Sequence, residues 1–234
     1  MSLILTTENM DFRHLLILLL FGLVFCNSGK AQNNFPVYGE PAIGITVKTE
    51  SPWSYDFGIS HRNLIYSEDF LFREIQMELM HTTNYALNDR NKIGAGIYYR
   101  FREIFSDSYQ DELRFLQQFT HSVKYNSVKT GHRFRFEQRF RKNTTFRLRY
   151  RFSGSVPLSS EEKEKKWFLT AHTETLWSLA KIASPEFDQR FALGFKKELS
   201  SITEVKFGVE YKYKDYTHQP ESELFLKMGL SIEL

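Results

Sequence analysis

From residue 39 onward the chain alternates apolar and polar positions almost one for one. Successive side chains of a β-strand point to opposite faces, so this pattern predicts strands with one apolar and one polar face. Residues 133–152 are the extreme case. Arg133, Arg135, Glu137, Arg139 and Arg141 interleave with Phe134, Phe136 and Phe140. Arg147, Arg149 and Arg151 then interleave with Phe146, Leu148, Tyr150 and Phe152.

The same alternation predicts strands along the rest of the chain. Residues 39–48 and 53–61 give two short ones. Residues 70–83 set Ile75, Met77 and Leu79 against Glu74, Gln76 and Glu78. In 91–105, Ile93, Ile97 and Tyr99 oppose Gly94, Gly96, Tyr98 and Arg100, and in 111–125, Leu113, Phe115 and Phe119 oppose Glu112, Arg114 and Gln118. The two arginine strands follow, then a less regular segment at 166–177. Residues 186–199 and 204–216 continue the pattern, and 224–234 is the cleanest, with Leu224, Leu226, Met228, Leu230 and Ile232 on one face. The count is about eleven. A barrel with both ends in the periplasm needs an even number, so ten or twelve are expected.

A soluble sheet buries its apolar face, whereas a membrane barrel turns that face to lipid and keeps charges in the lumen. Three features favour the membrane arrangement. The strands are about 12–15 residues long, where soluble strands average about 5–6 and bilayer strands need about 9–11. The six prolines (Pro36, Pro41, Pro52, Pro157, Pro185, Pro220) are placed outside the paired ladders, where lipid could not satisfy a broken hydrogen bond. The last strand alternates strictly to Leu234, as a signal for barrel-assembly machinery would require. The expected fold class is all-β: a single antiparallel up-and-down transmembrane β-barrel of about 10–12 strands.

The N-terminus fits export. Residues 15–25 form an apolar run preceded by Arg13 and His14, too short to span a bilayer as a helix and suited to a signal peptide. Met10 is an alternative start. Gly29 and Ala31 are the small residues before a cut at Gln32, giving a signal peptide at 1–31 and a barrel at 32–234. Cys26, the one cysteine, leaves with the signal, and Phe25 before it argues against lipid modification. The mature chain then has no thiol for disulfide, catalysis or metal. The net charge of +3 is unchanged by that cut, and neither it nor export points to nucleic acid. Phe (22) and Tyr (12) are abundant, and helix-rich Ala/Leu/Glu/Lys stretches are absent after the first thirty residues.

Parity tests the arginine hairpin. Both arginine sets occupy odd positions, so they share a face only if paired positions sum to an even number, which requires a loop of odd length. Asn143, Thr144 and Thr145 supply a three-residue loop with turn-forming Asn. That register sets Arg141 opposite Arg147, Arg139 opposite Arg149 and Glu137 opposite Arg151. The same parity joins Phe191, Leu193 and Phe195 to Val205, Phe207 and Val209 around Ser200 and Ser201. The long connections expected at 153–165, 178–185 and 214–221 do not all fall on one side.

These strands resemble an uncharacterised family of bacterial outer-membrane β-barrels, domain of unknown function 2490. The residues that carry the resemblance are Glu112-Leu113-Arg114-Phe115-Leu116-Gln117-Gln118, His132-Arg133-Phe134-Arg135-Phe136-Glu137-Gln138-Arg139-Phe140, Phe146-Arg147-Leu148-Arg149-Tyr150-Arg151-Phe152 and Phe187-Asp188-Gln189-Arg190-Phe191-Ala192-Leu193-Gly194-Phe195. The resemblance implies a barrel in the bacterial outer membrane and carries no activity to transfer. An aromatic final residue is usual in such barrels, and Leu234 departs from that.

Arg133, Arg135, Arg139, Arg141, Arg147, Arg149, Arg151 and Glu137 are the candidate site. Like charges directly opposite are destabilising unless an anion lies among them. Either lumen acids (Glu74, Glu78, Glu112, Glu210) neutralise them in a polar core, or they line a narrow anion-preferring pore or binding site. A binding or structural barrel and an anion pore are therefore the leading functions. Alternatives are a lipid-modifying outer-membrane hydrolase and a soluble lipocalin-like barrel with an apolar ligand. Ser60-His61-Arg62-Asn63 is the one cluster to suggest hydrolysis, and it lacks a nucleophile motif. The histidines show no metal spacing, and neither cofactor nor metal is expected. Tyr98, Tyr99, Tyr109, Tyr125, Trp167, Trp177, Tyr211, Tyr213 and Tyr216 fall near strand ends, where aromatic girdles form. Residues 161–166 read as a solvated loop. Expected partners are outer-membrane lipids and lipopolysaccharide, the assembly machinery and a small anionic solute.

Overall fold

The computed structural model describes residues 35–104, 109–159, 167–180 and 183–234. The expected signal peptide and the run at 161–166 lie outside them. Eleven strands follow in order: β1 (Val37–Lys48), β2 (Trp53–Ser67), β3 (Asp69–Ala86), β4 (Asn91–Arg102), β5 (Glu112–Tyr125), β6 (Val128–Phe140), β7 (Thr145–Pro157), β8 (Trp167–Ala180), β9 (Ala183–Glu198), β10 (Thr203–Lys214) and β11 (Glu221–Glu233). Each pairs antiparallel with the next, and β1 pairs with β11 to close the barrel.

The closing pair is parallel, running from Val37 opposite Leu224 to Thr46 opposite Glu233. This corrects the expectation of an even count. A parallel seam closes an odd number of strands, and every backbone edge is still satisfied, as a lipid-facing sheet requires. The strands are 12 to 18 residues long, enough to cross a bilayer at a tilt.

Several boundaries differ from expectation. β7 continues through Ser153 to Pro157, and only residues 181–182 separate β8 from β9, so two of the three expected long connections shrink. The longer connections still stand at both ends, 158–166 at one and 103–111 and 215–220 at the other. β5 and β6 close at Tyr125 and Val128. Asn126 takes a φ of 53° there, in the left-handed region Asn tolerates at a tight turn. Three prolines lie inside strands after all. Pro41 sits in β1, where the pairing with β2 skips from Gly39–Asn63 to Ala42–Ser60 without changing register. Pro157 ends β7, and Pro185 sits at the irregular start of β9. The missing N–H of each falls at a gap or an end of a ladder.

The faces sort as a membrane barrel demands. Ile97 (47% exposed), Phe191 (49%) and Met228 (56%) point outward, while Glu112 and Glu137 on the inner face have no exposed surface. Among the described residues the fully covered apolar side chains inside are Leu116, Leu176 and Phe225. An interior of this kind contradicts the lipocalin-like alternative, whose cavity would be apolar. Aromatic rings collect toward both rims. Trp177 stacks on Phe187 at 6.0 Å and Tyr213 on Tyr216 at 5.9 Å, while Trp53 meets Tyr85 edge-on at 4.9 Å near the other end. Tyr98 is the exception to the expected girdle: it faces the lumen, with the Arg135 guanidinium 5.6 Å from its ring.

Phe207 pairs with Phe195 and Met228 at mid-strand on the outer face. Phe207→Arg is expected to lower the unfolding free energy in lipid vesicles by about 2–4 kcal/mol, and Ile202→Arg at the rim by about 0–1 kcal/mol. Denaturant titration followed by tryptophan fluorescence measures both. Equal costs at the two depths would contradict the outward placement.

Candidate functional site

β6 and β7 present their odd-numbered side chains inward because the hairpin keeps the even-sum parity. The observed pairs are Arg139–Thr145, Glu137–Arg147, Arg135–Arg149 and Arg133–Arg151. The expected register is therefore corrected by two residues on each strand. Thr145 belongs to β7 rather than to the loop, and residues 141–144 make the connection. Both registers satisfy the alternation. The observed one places Glu137 beside arginines instead of leaving two arginine pairs at the hairpin tip.

Seven of the eight expected residues lie on the inner wall of β6 and β7, with Arg141 in the connection just beyond β6, and buried carboxylates lie among them. Glu137 accepts from Arg149 Nη1 at 2.6 Å and lies 3.6 Å from Arg135. Glu112 accepts from Arg139 Nη2 at 2.8 Å and also receives Arg114 and Arg141, whose Nε atoms donate to its two oxygens. Glu78 bridges to Arg100 at 2.7 Å and Arg114 at 3.4 Å. Arg135 donates to Gln118 at 2.8 Å.

Glu174 is the acid that sequence reasoning missed, and like Glu112 it is reached by four arginines. Its carboxylate receives Arg149 at 2.6 Å, Arg151 at 2.9 Å and Arg133 at 3.3 Å, with Arg190 at 3.6 Å. Its strand was hard to read because β8 carries Phe168 and Leu176 on the inward parity and Thr173 and Thr175 on the outward one. The signal was its register: Glu174 pairs with Arg151 on one side and Arg190 on the other. Two acids expected in the network lie elsewhere. Glu74 accepts from the Ile104 amide at 3.0 Å, and Glu210 bonds Lys212 at 3.2 Å.

The remaining wall is built differently. Glu40 binds Arg62 at 2.5 Å and also Lys227. Phe225, fully covered, receives the Lys212 ammonium 3.4 Å above its ring centre and the Arg62 guanidinium at 4.7 Å. A buried aromatic face thus supplements the carboxylates Glu210 and Glu40 that pair with these two cations.

Positive charge exceeds negative near one mouth. Arg147 donates Nε to Ser178 Oγ at 2.7 Å and makes no ion pair among the described residues. Beside it, a cavity of about 580 Å³ is lined by Arg102, Arg139, Arg141 and Lys142, with Glu186 its one acid among the described residues. The Ser60–His61 suggestion of hydrolysis fails locally: adjacent strand residues face opposite ways, and His61 contacts Asn63 at 3.1 Å. No cluster of metal-binding side chains occurs among the described residues.

Residues 42–223 match the family described as "Protein of unknown function (DUF2490)". The chain belongs to this family. DUF2490 thereby covers every strand of the barrel except parts of β1 and β11. No curated protein matches the chain. Among solved structures it is similar to the trimer form of OmpT, an outer membrane protein of Vibrio cholerae (12% identity, TM-score 0.42), covering 69% of this chain and 54% of that one. It therefore spans about half the length of that protein. A second structure of OmpT from V. cholerae gives 8% identity and a TM-score of 0.41 over 79% and 88% of the two chains. The siderophore receptor PirA of Pseudomonas aeruginosa gives 13% and 0.32 over 75% and 34%.

Removing one partner from a buried ion pair strands the others, at about 3–5 kcal/mol. Glu174→Gln in this DUF2490 barrel is expected to destabilise it on that scale, whereas Glu233→Gln, in an exposed pair with Lys48, is expected to change stability by less than about 1 kcal/mol. Denaturant unfolding in vesicles distinguishes them. An equal, small effect for both would show that Glu174 is not holding the arginines.

Proposed function

We propose that the protein is an outer-membrane barrel whose lumen is sealed by its own arginine–glutamate network, a closed binding or structural barrel rather than an anion-conducting pore. The observation that carries this reading is complete burial of inward-pointing side chains. Glu112, Glu137, Leu176 and Phe225 point inward from four different strands, and each has 0% exposure. Side chains around a water-filled conduit keep accessible surface, so none of these borders one. A barrel of eleven strands is narrow enough for long arginines to fill, since eight strands are already filled by ordinary side chains.

The outward apolar belt and the aromatic rims support insertion in a bilayer, and the apolar run at 15–25 supports export through a signal peptide ending at residue 31. Outer-membrane lipids and lipopolysaccharide then contact the outer wall, and barrel-assembly machinery inserts the chain.

Purified protein in planar bilayers is expected to show no sustained conductance steps under a salt gradient. Stable anion-selective steps from the folded wild type would sink the sealed-lumen reading. Fractionation tests location separately: recovery is expected only in the detergent-dependent outer-membrane fraction, with a heat-modifiable gel shift.

A further inference from the structure

We propose that the cationic mouth between the ends of β4, β6 and β8 is a binding site for a phosphate group. The cavity there holds about 580 Å³, within the range of about 300–1,000 Å³ common for small-ligand sites. Its floor is built, not superficial. Arg139 and Ser178 line it and are 5% and 3% exposed.

Its cations are under-neutralised. Arg139 and Arg141 share a single carboxylate, Glu112. Arg102 makes no ion pair among the described residues; its guanidinium lies 5.5 Å from the centre of the Tyr109 ring. Lys142 likewise has no ion-pair partner among them, and among the described residues Glu186 is the one acid lining the cavity. Ser178 Oγ accepts the Arg147 hydrogen bond, which leaves its own hydroxyl hydrogen to donate to a guest.

The donors converge from separate strands: Arg102 from β4, Arg139 from β6 with Arg141 and Lys142 just beyond it, and Ser178 from β8. A planar carboxylate is satisfied by one bidentate fork. Several donors arranged around a volume suit a tetrahedral group with three acceptor oxygens and close to two negative charges. The guest is thus a phosphate monoester or inorganic phosphate, carried either on a lipid headgroup or on a soluble molecule. This site stands on the mouth alone and does not depend on whether the lumen conducts.

The test uses the folded, detergent-solubilised barrel titrated calorimetrically with inorganic phosphate. In parallel, nanodiscs containing phosphatidic acid or phosphatidylcholine alone are examined by native mass spectrometry for retained lipid. Arg102→Gln with Lys142→Gln removes two cations that hold no ion pair, so the heat-modifiable gel shift is expected to persist. Phosphate affinity is expected to fall about tenfold or more in that double variant, and less in Ser178→Ala, which serves if the double variant does not fold. Saturable inorganic phosphate binding lost in the variants assigns a soluble guest. Retention of phosphatidic acid alone, lost in the variants, assigns a headgroup. Failure of wild type to bind either probe, or affinity unchanged in the folded variants, overturns the proposal.

Discussion

Neutralisation of guanidinium charge inside the barrel is the constraint from which the other features follow. Hydrocarbon outside excludes charge from one face of every strand, so the other face must accept it. Inside, each buried cation needs an anion, a dipole or an aromatic face. Glu174, received by four arginines from β6, β7 and β9, expresses this requirement. Such a network adds little net stability over an apolar core, yet it tolerates no missing member. It works as a register device: slipping any strand by one residue would turn arginines to lipid and phenylalanines inward.

The lumen solves the problem in two chemistries. Along β3 to β9, arginine forks meet carboxylates, where planar geometry allows one acid to serve several partners. Along β10, β11, β1 and β2, Lys212 and Arg62 share the buried face of Phe225 besides pairing with Glu210 and Glu40. The arginine wall is rigid and nearly saturated at its centre. It runs short of acid only toward the Arg102–Lys142 mouth, where the strands end and water can take over the role.

The barrel was legible in the sequence because a two-residue period leaves no ambiguity about which residues share a face. Ile97, Phe191, Phe207 and Met228 were assigned outward from alternation alone, and the structure places them there. The hairpin register was not legible, since moving the loop from 143–145 to 140–144, between the paired Arg139 and Thr145, preserves parity. Only the neighbouring strands select Glu137–Arg147 over Glu137–Arg151. Glu174 was missed for a related reason: with Leu176 inside and Thr173 outside, β8 blurs the rule that identifies the other strands. Proline was read too strictly. Pro41 shows that a strand can carry one where its ladder already has a gap.

The parallel seam between β1 and β11 has a topological consequence. Eleven crossings make an odd number, so the backbone enters the bilayer on one side and leaves it on the other. Val37 and Glu233 therefore stand at opposite ends of the barrel. Epitopes attached at those two points would report on opposite faces of the membrane, and a partner recruited by one would be out of reach of the other.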